Sequence, residues 1–65
     1  MTTDRAALGR LRHELHTPLN HIIGYSEMLL EEVEERGWVD LTHDLHHVHE
    51  EGRRLLGQID HFLDP

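Results

Sequence analysis

The sequence predicts an all-α fold: a helical hairpin that pairs with a second copy into a homodimeric antiparallel four-helix bundle. Three observations lead there. Two segments repeat apolar residues at alternating steps of three and four. A short stretch between them, "ERGWVD", holds a glycine suited to ending a helix. The whole chain has 65 residues and no cysteine. Chains below about 70–80 residues rarely build a sufficient core without a disulfide, a metal or a partner. With disulfides excluded, oligomerisation leads and a metal comes second.

The first helix is expected over about residues 4–36. Leu8, Leu11, Leu15, Pro18, Ile22, Tyr25 and Leu29 fall on a heptad seam, at positions a and d in turn. Leu19 and Val33 fall at e, and Ile23 and Leu30 at b. The apolar arc d-a-e-b is wider than a two-stranded seam needs and suits a bundle with more than one neighbour. Thr3 or Asp4 can cap its start.

The turn is expected at about 37–40. Gly37 can take a positive φ without a Cβ clash. Asp40 is the expected N-cap of the second helix, and Trp38 and Val39 are expected to cover the bundle end.

The second helix is expected over about 41–63. Leu41, Leu45, Val48, Gly52, Leu55, Ile59 and Phe62 repeat the seam, flanked by Leu56 and Leu63. Gly52 at a core position costs about 1 kcal/mol of helix propensity relative to alanine. It points to a close helix approach or a small cavity. Residues 1–65 thus read as one domain, without internal repeat or linker.

Charge narrows the function. Thirteen acidic residues against six basic ones give a formal charge of −7. Such a surface repels nucleic acid and anionic membrane, so neither is an expected partner. No apolar run approaches the roughly 18 residues of a membrane span, and no signal-peptide pattern is present. The absence of cysteine fits a reducing compartment, and the expected location is cytoplasmic. Eight histidines, if all protonated, would take the charge from −7 to +1.

One histidine has a chemical setting. His13 falls at position f, facing away from the seam and toward solvent. Neutral imidazole is a competent nucleophile, provided one ring nitrogen is free and the other is held by an acceptor. Glu14, the next residue, is a candidate acceptor, by the logic of the carboxylate in a catalytic triad. Pro18 follows five residues after His13. It has no N–H for the carbonyl of Glu14 and its ring crowds that carbonyl, a cost of about 3 kcal/mol or more in a helix interior. A bend just after His13 is the expected result.

The stretch "HELHTPLN", His13 to Asn20, closely resembles the H-box of sensor histidine kinases, usually H-E-L-R-T-P-L-N. The following "IIGYSEMLLEE" resembles the same dimerisation and histidine phosphotransfer domain. "GRRLLGQIDHFLDP" resembles its second helix, so the resemblance covers nearly the whole chain. It implies a homodimeric four-helix bundle in two-component signal transduction. It implies that His13 accepts the γ-phosphoryl group of ATP and passes it to an aspartate of a response-regulator receiver domain. Glu14 then matches the orienting acid. Thr17 matches the polar residue implicated in dephosphorylating the regulator. Pro18 matches the kink proline, and Asn20 the H-box asparagine. Arg12, His16 and Asn20 are the expected regulator-docking residues.

Two departures stand out. His16 occupies the usual arginine position and cannot make a bidentate guanidinium contact. Arg12 stands where serine is common and can supply positive charge near the phosphate. Nothing in the chain resembles a glycine-rich phosphate-cradling loop. The ATP-binding domain is absent from these residues, and ATP and Mg are expected on that separate domain, acting in cis or in trans. No cofactor is expected in this chain, and by itself it is not a complete kinase.

Other readings compete. His43 and His47 stand four residues apart, as do His46 and Glu50; such pairs bind zinc or nickel adventitiously, but one helix face does not supply four ligands, and no metal site is expected. A dimerisation and signal-relay module without phosphorylation, in front of another effector domain, is the main alternative. A general acid/base enzyme is weaker, because a helix surface offers no pocket. His49 is expected half-buried, His21 at the bundle border and His61 solvated. Glu27, Glu31, Glu34 and Glu35 form an acidic outer face.

Overall fold

The computed structural model describes residues 4–64. Helix α1 spans Arg5–Arg36 and helix α2 spans Val39–Phe62. The Asp4 carboxylate accepts the Ala6 N–H at 2.9 Å, and the Asp4 carbonyl accepts the first helical bond, from Leu8. Asp4 is therefore the N-cap; the alternative, Thr3, lies outside the described residues.

α1 ends as glycine permits. Gly37 takes φ 70°, ψ 24°. Its N–H donates to the Glu34 carbonyl, and the Trp38 N–H to the Val33 carbonyl. This pair of bonds is the Schellman motif, which satisfies carbonyls that the helix end leaves without partners.

The second helix begins earlier than the sequence suggests. The Trp38 carbonyl accepts both the backbone N–H and the hydroxyl of Thr42, each at 3.0 Å. Trp38 is the N-cap, without a side-chain cap bond, and Asp40 is not. The Schellman bonds complete the reversal at Gly37 and Trp38, so the chain re-enters helix at once. Asp40 falls in the first turn, where a carboxylate meets the positive helix end. Trp38 and Val39 do not cover the end of this hairpin: both are exposed, with the Arg36 guanidinium 5.2 Å from the Trp38 ring centroid. A reversal this short leaves them outside the two helices.

The two helices divide the wide apolar arc of α1. The side facing α2 is the e/b flank: Leu19, Ile23, Ser26, Leu30 and Val33 are buried. The Ser26 hydroxyl donates to the Ile23 carbonyl at 2.7 Å, so its burial leaves no unpaired group. On α2 the matching stripe is Leu45, His49, Gly52, Leu56, Ile59 and Leu63, all buried or half-buried. Gly52 is the close approach: a Cβ there would stand 3.2 Å from Ile23 Cγ1.

The a/d seam of α1 is left open. Ile22 is 47% exposed, Tyr25 62% and Leu29 51%. On α2, Leu41, Val48, Leu55 and Phe62 are likewise exposed. Leu19, Ile22, Val48, Gly52 and Leu55 floor an open groove along this face. The hairpin is a rod of 53 × 14 × 11 Å with a radius of gyration of 15.4 Å. A compact chain of this length would have about 11 Å. Among the described residues no helix is long and apolar enough to cross a membrane.

Candidate phosphoacceptor site

The register of α1 sorts the H-box into two strips. His13, Thr17 and Asn20 stand at steps of four and three on the outer face, and all three are exposed. Arg12 and His16 lie on the other strip, which continues into the buried Leu19 and Ile23. Residues three and four apart are neighbours on a helix surface, so each strip is continuous.

His13 is thus open to an incoming reactant. The carbonyl of His13 receives a long contact, 3.5 Å, from the Thr17 hydroxyl. α1 runs unbroken through Pro18, which is exposed. Glu14, whose carbonyl the proline deprives of its helical donor, is itself exposed. Among the described residues no hydrogen bond joins Glu14 to His13. Consecutive helical residues do not face each other, so the carboxylate reaches the ring only through a change of rotamer.

The inner strip is tied to α2 by side chains. His16 Nε2 hydrogen-bonds Asp60 Oδ1. Arg12 Nη1 stands 3.8 Å from Asp64 Oδ1. Farther along, His49 Nε2 stands 3.0 Å from Glu27 Oε1, and His46 Nε2 3.7 Å from Glu34 Oε1. Three of these four cross-helix pairs use histidine as the partner of a carboxylate. Arg12 and His16 were expected on a docking surface; here both engage α2, and only Asn20 of the three stands on the outer strip.

Asp60 and Asp64 were not anticipated from the sequence. Their spacing of four, one helical turn, was the available signal. The remaining histidines are accounted for locally. His43 packs edge-on against His47, with ring centroids 4.8 Å apart. His21 lies 6.3 Å from Tyr25, and His61 5.1 Å from Phe62. Among the described residues, no group of three or more histidine or acidic side chains is placed to hold a metal ion.

Comparison with known families decides what this arrangement belongs to. Residues 4–65 match the model of the His Kinase A (phospho-acceptor) domain. The chain belongs to that family. Neither the curated proteins nor the solved structures gave a match. A His Kinase A domain has a phosphoacceptor and dimerisation role in two-component histidine-kinase signalling. The helical hairpin and the exposed H-box strip fit that role.

Proposed function

We propose that this domain dimerises, presents His13 for phosphorylation by the ATP-binding domain of a histidine kinase, and passes the phosphoryl group to an aspartate of a response regulator. The observation that carries the proposal is the exposure of His13 on the outer strip of a His Kinase A domain, with Thr17 and Asn20 beside it.

In the proposed reaction a ring nitrogen of neutral His13 attacks the γ-phosphorus. An N–P bond forms, the bond from phosphorus to the bridging oxygen breaks, and ADP leaves. The other ring nitrogen gives up its proton to Glu14, turned toward it, or to water. ATP and its Mg belong to the separate catalytic domain, acting in cis or in trans, and the proposed compartment is the cytoplasm. In the reverse branch Thr17 orients a water toward the regulator's phospho-aspartate.

The open seam supports the dimer. The hairpin exposes 5234 Å², against about 4,300 Å² for a compact monomer of its mass. The excess, about 900 Å², is close to what one partner gives up in a standard interface. A second hairpin carries the matching apolar seam.

The test is incubation with [γ-³²P]ATP and the ATP-binding domain of a His Kinase A-type kinase. Acid-labile label is expected in the unsubstituted chain and not in His13→Gln. Label retained in His13→Gln removes His13 from its role. An unlabelled native chain with a competent cognate domain favours the relay module.

A further inference from the structure

Every fully buried residue of α1 lies beyond Pro18, from Leu19 to Val33. The turns before Pro18 carry only exposed and half-buried side chains. Pro18 also removes the backbone bond that would join the Glu14 carbonyl to the next turn. The segment bearing His13 is therefore weakly coupled to the rest of α1, and its apolar grip on α2 is slight.

What holds it is polar. His16 stands one turn beyond His13 and is bonded to Asp60. Its side chain is 31% exposed and that of Asp60 48%, so the pair is partly shielded by the helices. Arg12 and Asp64 add a looser contact at 3.8 Å, with the Asp64 carboxylate 77% exposed. The groups facing the His13 turn from α2 are thus the carboxylates of Asp60 and Asp64, with Asp60 the closer.

We infer that Asp60 is a positioning residue for the phosphoacceptor: through His16 it holds the His13 turn against α2 and fixes where the imidazole stands. The inference rests on the proposed role of His13. It also gives the histidine at position 16 a function. The ring spans to Asp60 as a hydrogen-bonded link, whereas arginine would carry a permanent charge at the same place. A phosphoryl group on His13 would offer a competing acceptor to His16, its neighbour at i+3.

The experiment has two readouts on the unsubstituted 65-residue chain, Asp60→Ala and Asp60→Glu. The first is amide hydrogen exchange. In Asp60→Ala, which removes the acceptor, exchange over residues 13–17 is expected to quicken about two- to tenfold, the range that loss of one hydrogen bond supports. Exchange over residues 23–33 stays unchanged, and Asp60→Glu restores the slow rate. The second is phosphorylation by the ATP-binding domain and [γ-³²P]ATP. Asp60→Ala is expected to lower kcat at an unchanged KM for ATP, and Asp60→Glu to recover most of it.

Unchanged exchange at residues 13–17, or equal quickening along both helices, overturns the inference. So does a kcat that is the same in all three chains. A native chain that takes no label overturns the phosphoacceptor reading itself, and leaves Asp60 as a packing residue only.

Discussion

His16 and Asp60 are hydrogen-bonded across the hairpin, and each stands 22 residues from Trp38. Glu27 and His49 each stand 11 residues from Trp38, and Arg12 and Asp64 each stand 26. Antiparallel helices with the same rise per residue bring equidistant positions level. The Schellman reversal at Gly37 and Trp38 therefore sets which acid meets which base in these three pairs. A turn altered by one residue would turn these pairs away from one another.

Replacing Gly37 attacks that reversal directly. At φ 70° any residue with a Cβ is strained. Gly37→Ala is expected to destabilise the protein by about 1–2 kcal/mol. Urea unfolding at fixed protein concentration reads this; an unchanged midpoint would show that the turn does not depend on glycine.

The glycines of α2 are expected to respond in opposite directions. A Cβ on Gly52 meets Ile23 Cγ1 at 3.2 Å, and one on Gly57 meets nothing within 4 Å. Gly52→Leu is expected to cost about 1–3 kcal/mol through overpacking. Gly57→Ala is expected to stabilise by up to about 1 kcal/mol through helix propensity. Thermal unfolding of the two variants side by side is the check, and the same sign for both contradicts the packing described.

Pro18→Ala returns an N–H to the Glu14 carbonyl and relieves the clash with the ring. The gain is expected to approach about 3 kcal/mol, the cost of an interior proline. Slower amide exchange around residues 14–18 should accompany it. A destabilised variant would show that the surrounding structure is built for the proline.

The exposed seam predicts the response to charge. Ile22→Glu places a carboxylate where the groove would receive a second hairpin. Sedimentation equilibrium should find the unsubstituted chain dimeric at micromolar concentration and the variant monomeric. A well-folded native monomer removes the four-helix-bundle proposal.

Much of this was legible in the sequence. The seams of three and four place both helices, and Gly37 marks the end of the first. The width of the α1 arc implies two neighbours, but periodicity alone does not say which strip meets which. The structure assigns e/b to α2 and leaves a/d open. Two features escaped for physical reasons. Asp40 looks like an N-cap, yet the bonds at Gly37 and Trp38 start α2 before it. The contacts of Arg12 and His16 with α2 were not legible, because only an accurate turn centre places Asp64 and Asp60 opposite them.

The outward placement of His13 was legible from its heptad position, but the chemistry was legible only through the H-box. The sequence holds a second such quartet, His43-Asp44-Leu45-His46, at the other end of the hairpin. His43 is also exposed and also followed by an acid. It lacks the threonine, proline and asparagine that follow His13, and its ring is packed against His47.

Site mapping therefore discriminates most directly. The native chain is labelled by a His Kinase A-type ATP-binding domain and ATP, and the phosphorylated residue is located by mass spectrometry under alkaline conditions. The phosphoryl group is expected on His13 and on none of the other seven histidines. A phosphoryl group on His43, or on any histidine while His13 stays free, contradicts the assignment of His13 as the acceptor.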